Sequence, residues 1–348
     1  MLINDKRALV YVVEINDIVP IKDADKIETA VIKGWKVVVK KNQFKPGDKA
    51  IYFEIDSFLP IKPEFEFLRA SSYRKLGELE GFRLKTIKLR KQISQGLIMS
   101  FSDLNIEPCD VNTDLTDIIG VVKWEIPETG FTPSGKVSLG NPFPYFIPKT
   151  DEERVQNYEI EYYLKDLTLD DLYITEKIDG SSITVYVNRN NPDRIFGVCS
   201  RNRDIDKDEQ NMFWENVIKL NLEEKMLNIG FNFAIQGELH GIGIQNNPYK
   251  MMNRNILWYT GYNIDKQERM NYFEFKDILN KLGLNMVPEL SIDPIKNKNI
   301  FDRDMWLEFA ENKSTLADVD REGVVVRAKN DTSISFKAVS NKYLLKYD

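Results

Sequence analysis

The sequence has very little histidine and cysteine. Its one histidine is His240, and its two cysteines, Cys109 and Cys199, lie far apart and form no Cys-x-x-Cys pair. A single histidine excludes most catalytic triads, histidine-rich metal sites and schemes that use two histidines as acid and base. The two cysteines predict neither a disulfide framework nor a zinc cluster, and we expect both to be packing residues. Any catalytic chemistry must therefore rest on Lys, Arg, Asp, Glu and a bound metal ion.

Long apolar runs are also missing. The first seven residues contain no apolar segment after a basic start, and no uncharged stretch approaches the roughly 20 residues that span a bilayer. We therefore expect a cytoplasmic protein that does not contact a membrane. At 348 residues the chain exceeds the usual size of one hydrophobic core, so two domains are expected.

Charge is distributed unevenly along the chain, although the net charge is only −6. Residues 1–105 carry 19 Lys and Arg against 14 Asp and Glu, whereas residues 106–348 carry 29 against 40. A basic first part can hold phosphates, and an acidic second part can hold divalent cations that offset its charge. A solvated basic face would give the same excess.

The first part of the chain reads as short strands separated by turn signals such as Lys45-Pro46-Gly47-Asp48. About five strands in about a hundred residues, without a long helical pattern, predict a small barrel of the OB type over residues 1–105. An SH3-like barrel would produce a similar pattern. The predicted strands are Leu9–Ile18, Ala30–Lys40, Lys49–Ile55, Phe82–Arg90 and Gly96–Met99.

The remainder predicts a linker and a second domain. Residues 106–145 are rich in Pro, Gly and polar residues and are predicted to connect a domain at 146–348. Thr150 followed by acidic residues predicts a helix start. Amphipathic patterns predict helices near Asn211–Leu227 and Glu274–Leu282, between strand-like runs, so the class is α+β.

The sharpest chemical signal lies between Leu172 and Val187, where two strand-like runs are joined by the polar turn Lys177-Ile178-Asp179-Gly180. Flanking strands would restrict and partly desolvate the lysine. We therefore predict that the pKa of Lys177 is lowered, so that a neutral amine can attack phosphorus. Asp179 and Gly180 would let the chain turn closely around a nucleotide.

Five further segments follow in chain order, and each places polar or aromatic side chains in or beside a strand-like run. Glu238 and Glu322 offer carboxylates, and Lys337 offers a cation. Together with Lys177 they form the set that nucleotidyl transfer to an amine requires, namely a nucleophile, metal-binding carboxylates and a positive group for the α-phosphate. The segments are Cys199–Arg203, Phe233–Leu239, Ile256–Ile264, Asp320–Arg327 and Ser335–Tyr343.

The six segments in this order resemble the covalent nucleotidyltransferase superfamily, which contains DNA ligases, RNA ligases and RNA-capping guanylyltransferases. Within it the chain is similar to nick-sealing ATP-dependent RNA ligases, in the subgroup with an N-terminal OB domain. The resemblance covers nearly the whole chain and is strongest over residues 145–348. It implies an OB-type barrel followed by an adenylyltransferase domain, of the ATP-grasp-like ligase type, made of antiparallel sheets with flanking helices.

The resemblance implies roles for the residues around the lysine. Lys177 would be the nucleophile that becomes adenylated, and Glu176 would lie next to the adenine. Asp179 would organise the catalytic metal, and Gly180 would keep the turn tight. Arg201 would contact the ribose or the RNA strand.

The later segments acquire roles in the same way. Glu238 would hold the ribose or metal-bound waters, and Glu322 would be a carboxylate of the metal site. Lys337 would contact the α-phosphate. Tyr262 would stack on adenine, with Tyr259 as the alternative.

The sequence departs from the family pattern in two places. Ser335 stands where the family usually has the first of two lysines, so Lys342 competes with Lys337 for the phosphate role. Gly261 and Asn263 stand where the family often has an apolar residue and an aspartate, so the stacking residue stays open.

The implied activity is RNA repair by joining a 3′-hydroxyl to a 5′-phosphate, in nicked duplex RNA or an RNA/DNA hybrid. The implied cofactors are ATP and a divalent metal, Mg²⁺ or Mn²⁺, and the enzyme is expected to act as a monomer without an obligate protein partner. A DNA ligase and a capping-type guanylyltransferase are the alternatives within the superfamily. An inactive nucleic-acid-binding module is the alternative from another class.

Overall fold

A computed structural model of the chain describes residues 1–3, 6–76, 78–125 and 140–347. The described residues form two compact units. The first takes its residues from 1–127, 153–163 and 341–348, and the second takes its residues from 128–152 and 164–340. Across these described ranges, no helix is long and apolar enough to cross a bilayer. The domain boundaries at residues 105 and 145 stay predictions.

The first unit is built mainly from short antiparallel strands. Its apolar core contains Val10, Val12, Ile51, Phe53 and Phe82, which are all buried. One four-stranded sheet has the order Val122–Lys123, Ser57–Leu59, Leu79–Arg83 and Tyr73–Leu76. Two three-stranded sheets have the orders Leu97–Met99, Lys49–Phe53, Val10–Glu14 and Asp17–Pro20, Ile27–Ile32, Trp35–Lys40. Two hairpins pair Leu2–Ile3 with Lys6–Arg7 and Thr86–Leu89 with Gln92–Gln95. The α-helices are Arg69–Ser72, Thr116–Ile119, Ile160–Tyr163 and Asn341–Tyr347, and the 3-10 helices are Pro63–Leu68, Ser102–Leu104 and Val155–Asn157.

Three of the long predicted strands are in fact pairs of shorter strands. The run predicted over Ala30–Lys40 is a hairpin of Ile27–Ile32 and Trp35–Lys40. Its turn contains Lys33 at a φ of 49°, and the Lys33 amide donates to Asn16 Oδ1 at 2.6 Å. The alternation of apolar and polar residues continues through such a tight turn, so the sequence pattern alone did not indicate that the chain reverses there. The predicted runs at 9–18 and 82–90 divide in the same way.

The prediction that a helix starts at Thr150 is wrong. A 3-10 helix begins only at Val155, and the following α-helix is Ile160–Tyr163. Glu153 does not cap a helix; its carboxylate accepts from Asn157 Nδ2 at 2.8 Å and pairs with Arg7 at 3.3 Å. Acidic residues after a threonine are typical of a helix N-terminus, but here Glu153 forms an ion pair and a side-chain hydrogen bond instead.

The second unit contains two antiparallel sheets with flanking helices. The seven-stranded sheet has the order Asn141–Pro142, Arg203–Ile205, Phe196–Cys199, Ser181–Val187, Phe233–His240, Asn255–Asn263 and Glu268–Arg269. The three-stranded sheet has the order Leu172–Lys177, Gly323–Ala328 and Ser335–Val339. The α-helices are Met212–Lys219, Leu222–Leu227, Tyr272–Leu282 and Arg303–Ala310, and the 3-10 helices are Leu169–Asp171 and Asp293–Ile295.

The two faces of the seven-stranded sheet differ in polarity. One face packs Ile183, Val185 and Ile235 against apolar residues of the helices, including Trp214 and Phe275. Side chains alternate along a strand, so the opposite face carries the polar residues of the same strands, which are Ser182, Thr184, Gln236 and Glu238. Glu238, the candidate carboxylate of this sheet, therefore lies on the face away from the helices.

Both predicted helical regions are confirmed. The helix Tyr272–Leu282 begins at Asn271, whose side chain accepts from the amides of Phe273 and Glu274 at 3.0 Å. The region 211–227 contains two helices because Asn221 takes a left-handed conformation between them.

Candidate active site

Lys177 ends a strand of the three-stranded sheet, and its partner residue across the ladder is Gly323. Glu322 directly precedes that glycine, and Lys177 Nζ lies 2.7 Å from Glu322 Oε1. The lysine side chain is 27% exposed, so the amine is partly desolvated but reachable. A Cβ at Gly323 would meet the Ala338 carbonyl oxygen at 2.2 Å, so this position needs glycine. The sheet itself therefore places the predicted nucleophile against a predicted carboxylate.

The turn after Lys177 is held by the neighbouring sheet. A Cβ at Gly180 would lie 2.3 Å from the Leu239 carbonyl oxygen and 3.0 Å from Glu238 Cγ. The Asp179 amide donates to the Tyr249 hydroxyl at 2.8 Å. Close approach to the strand carrying Glu238, not a positive φ, is thus the reason for glycine at position 180.

The charges around Lys177 overturn one expectation. Burial alone would lower the pKa of the lysine, but the carboxylates of Glu322 and Glu238 raise it above its usual value. The prediction of a lowered pKa was therefore wrong for the protein alone. It considered desolvation without the negative charges, and close opposite charges outweigh burial here.

The carboxylates also perturb one another. Burial raises the pKa of Glu238 to about 8, with Glu322 and Asp179 adding to the rise and Lys177 opposing it. The pKa of Glu322 is also raised, chiefly by burial. Oε2 of Glu322 is buried and has no hydrogen-bond partner. The site therefore contains two carboxyl groups, Glu238 and Glu322, whose pKa values are raised, and Asp179 lies close enough to contribute to both rises.

Carboxylate oxygens are the ligands that Mg²⁺ and Mn²⁺ prefer, so the donor set of Asp179, Glu238 and Glu322 fits such an ion. In the described part of the chain, however, no three His, Cys, Asp or Glu side chains converge closely enough to hold an ion. Glu322 is instead bound to Lys177. The chemistry of these residues suits a divalent metal, and their side chains would have to reorient to bind one.

Lys337 lies on the same face of the three-stranded sheet as Lys177. Its Nζ pairs with Asp151 Oδ1 at 3.0 Å, and its charge partly opposes the rise in the pKa of Glu322 that burial causes. Asp151 also forms an ion pair with Arg201, with 3.6 Å between Asp151 Oδ2 and Arg201 Nη2. Lys342, the alternative to Lys337, lies in the helix Asn341–Tyr347 of the first unit. Lys337 and Arg201 thus share one carboxylate within the unit that contains Lys177.

Glu176 projects from the opposite face of the strand that ends in Lys177. It is buried, and its Oε2 accepts from the amide and the hydroxyl of Thr315 at 2.7 and 2.6 Å. Its Oε1 is buried without a hydrogen-bond partner. A buried acceptor without a donor is costly, and a ligand N–H group would satisfy it.

The two candidate stacking residues have different surroundings. Tyr259 lies at a bulge of its strand; its hydroxyl is 3.3 Å from Ser182 Oγ and 3.0 Å from Thr150 Oγ1. Glu238 contributes to raising the pKa of Tyr259, after burial. Tyr262 packs instead in an apolar cluster with Tyr186 and neighbouring aromatic residues. Of the two tyrosines, Tyr259 is the one that lies beside Ser182 and close to Glu238, which are next to the turn that carries Lys177.

Sequence reasoning missed several residues that support the site. Glu152 accepts hydrogen bonds from Arg327 Nη2 at 2.7 Å and from Ser335 Oγ. Burial alone would raise the pKa of Glu152, but these partners hold it below its usual value. Asp151 and Tyr249 contact the predicted site residues directly, as described above. The acidic run at 151–153 was the only available signal, and it was interpreted as a helix start.

Comparisons with known proteins agree with this arrangement. A family profile described as an OB-fold domain matches residues 9–101, and one described as RNA ligase matches residues 170–347. No curated protein sequence matches the chain.

Solved structures of Naegleria gruberi RNA ligase are similar over almost the full length of the chain. A mutant with ATP and Mn is 33% identical, with a TM-score of 0.84, over 97% of this chain and 98% of that one. A mutant with AMP and Mn is 32% identical, and the protein with PPi is 33% identical. Both of these have a TM-score of 0.85 over the same shares of the two chains.

These matches confirm the α+β class and the OB-type domain at the N-terminal side of the ligase domain. The RNA ligase profile covers more than half of the chain, and the similar structures exceed 30% identity. The chain therefore belongs to the RNA ligase family of the covalent nucleotidyltransferase superfamily.

Proposed function

We propose that this protein is an ATP-dependent RNA ligase that joins a 3′-hydroxyl to a 5′-phosphate and carries AMP on Lys177 during the reaction. The observation that carries the proposal is the placement of Lys177 Nζ 2.7 Å from Glu322, in a partly buried site that also contains Glu238. The similarity to an RNA ligase described with ATP and Mn, with AMP and Mn and with PPi supports the same ligands here.

In the first reaction step, the Lys177 amine attacks the α-phosphorus of ATP. A phosphorus–nitrogen bond forms, the bond to the bridging oxygen breaks, and pyrophosphate leaves. The amine must lose its proton beforehand, and Glu322 Oε1 is already hydrogen-bonded to it. AMP then passes to the RNA 5′-phosphate, and attack by the 3′-hydroxyl releases AMP and seals the strand.

The other residues bind and orient the reactants. Glu176 Oε1 would accept the adenine amino group, because that buried oxygen has no partner in the protein. Tyr259 is the better placed of the two tyrosines to stack on the base. Lys337 would release Asp151 and contact the α-phosphate, and Arg201 would contact the ribose or the RNA strand.

A divalent metal at Asp179, Glu238 and Glu322 would neutralise the triphosphate and the crowded carboxylates when it is bound. Gly180 keeps Asp179 and Lys177 close to the strand that carries Glu238. The basic excess of residues 1–105 suits a role of the barrel in holding duplex backbone, so we place the preferred break in nicked duplexes. Action as a monomer and a cytoplasmic location stay predictions.

Labelling with nucleotide tests the proposal. The protein is incubated with Mg²⁺ and α-labelled ATP or GTP, beside Lys177→Ala and the control Lys266→Ala, whose side chain is exposed in the same unit. We expect label from ATP on the wild type and on the control, and none on Lys177→Ala. Label from GTP alone would identify a guanylyltransferase and contradict the proposal.

A sealing assay then distinguishes the polynucleotide. Nicked duplexes are prepared with ribose or deoxyribose at the 3′-hydroxyl end. We expect sealing of the ribose end, and equal sealing of both ends would contradict specificity for RNA.

A further inference from the structure

Tyr145 is almost completely exposed, which is unusual for a large aromatic side chain. Its relative exposure is 99%, and its ring has an edge contact with Phe146 at 5.6 Å. Phe146 itself packs against the buried Tyr186 at 5.4 Å. Adjacent aromatic residues therefore have opposite environments, one in the apolar cluster and one in solvent. Tyrosines in such positions are enriched at binding surfaces.

The segment that carries Tyr145 is fixed in place. Prolines at 142, 144 and 148 restrict its backbone. The Phe143 amide donates to the Asn202 carbonyl at 3.1 Å, and Gln236 Nε2 donates to the Pro148 carbonyl at 3.1 Å. The short strand Asn141–Pro142 also pairs with Arg203 and its neighbour. A ring held outward by a fixed backbone loses little entropy when a ligand stacks on it.

Two cations, Lys149 and Arg203, lie at this segment within the same unit. Lys149 Nζ donates to Asn202 Oδ1 at 2.7 Å and lies 5.6 Å from the Phe143 ring centre. Arg203 is exposed in the strand that pairs with this segment. The nearby Asp204 is buried and neutralised by Arg194 at 2.7 Å, so it does not cancel that charge.

We propose that Tyr145, Lys149, Asn202 and Arg203, here called the Tyr145 surface, bind unpaired nucleotides of an RNA strand beyond the paired region that contains the break. The inference deepens the proposed function and rests on it. An exposed aromatic ring stacks on a base of any sequence, and the flanking cations bind the adjoining phosphates. Arg201 directly precedes Asn202 in the chain and pairs with Asp151 at 3.6 Å, and Asp151 also pairs with Lys337 of the candidate active site. The local positive charge of Lys149 and Arg203 favours a polyanion over a protein partner or a second copy of the chain, although residues 106–348 as a whole are acidic.

Binding of a 5′-phosphorylated single-stranded RNA, followed by fluorescence anisotropy, tests the proposal. Tyr145→Ala should weaken binding by about 5- to 100-fold, the range for loss of one stacked base. Tyr145→Trp should bind within about twofold of the wild type, because stacking is retained. The matched control is Tyr162→Ala, which removes a 73% exposed tyrosine from the first unit and should leave binding unchanged.

Salt dependence tests the role of the cations. Lys149→Gln should reduce the slope of log K against log salt by about 0.7, the value for one phosphate contact on a single strand.

Equal affinity of Tyr145→Ala and the wild type would overturn the proposal, as would loss of binding in Tyr145→Trp together with unaltered folding. Self-association that disappears in Tyr145→Ala would also overturn it, because the ring would then contact a second copy. Adenylation of each variant with labelled ATP is measured in parallel, so failure of the proposed function shows separately as a wild type without label.

Discussion

Replacing Gly180 with alanine should push the turn that carries Lys177 away from the strand that carries Glu238. The new Cβ would lie 2.3 Å from the Leu239 carbonyl oxygen, whereas an ordinary contact begins at 3.4 Å. That oxygen belongs to the backbone of the seven-stranded sheet and cannot rotate aside. The turn must therefore shift by about 1 Å, and a misplacement of this size at a reacting group costs roughly 100-fold in rate.

We expect Gly180→Ala to adenylate about 100-fold more slowly than the wild type in single-turnover experiments with labelled ATP. Overpacking costs about 1–3 kcal/mol and should lower the Tm by about 2–10 °C. Gly230→Ala is the matched control, because a Cβ there meets no atom within 4 Å. Adenylation of Gly180→Ala within about threefold of the wild type would refute the idea that this close approach positions the lysine.

Two further predictions concern supporting residues. Tyr249→Phe keeps the ring but removes the acceptor of the Asp179 amide, so adenylation should slow by about three- to tenfold. The Tm should also fall, because the partly buried amide is left without a partner. Glu152→Gln leaves Arg327 without its buried counter-charge and should cost about 3–5 kcal/mol in the free energy of unfolding, measured by denaturant melts. Because the pKa of Glu152 is lowered from 4.5, the stability that it contributes is present above that pH and is lost as the pH falls further. The acid loss of stability should therefore be shallower in Glu152→Gln, and an unchanged acid profile would contradict this assignment.

The sequence motifs were sufficient to select residues that the structure brings together, and the chemical roles of these residues stay predictions. Lys177 and Glu322 adjoin strands that pair with each other. Glycine at position 180 was expected for a tight turn around a nucleotide, whereas the structure shows a close approach to the Leu239 carbonyl oxygen. The family order of these segments also predicted the barrel and the antiparallel sheets.

Interactions between distant positions could not be predicted in this way. Glu152 and Arg327 are 175 positions apart, and Asp151 and Lys337 are 186 apart, so the acidic run near residue 151 gave no sign of its partners. The pKa of Lys177 was predicted in the wrong direction for a related reason. Its sign depends on whether burial or neighbouring carboxylates act more strongly, and only the distances decide this.

The most direct test of the proposed function is to identify the residue that carries AMP. After incubation with Mg²⁺ and ATP, proteolytic peptides are analysed by mass spectrometry under conditions that preserve the acid-labile phosphorus–nitrogen bond. We expect AMP on the peptide that contains Lys177, attached to its side-chain nitrogen, and we expect no AMP there when EDTA is present from the start. AMP on any other side chain, or a protein that seals RNA without forming the adduct, would contradict it.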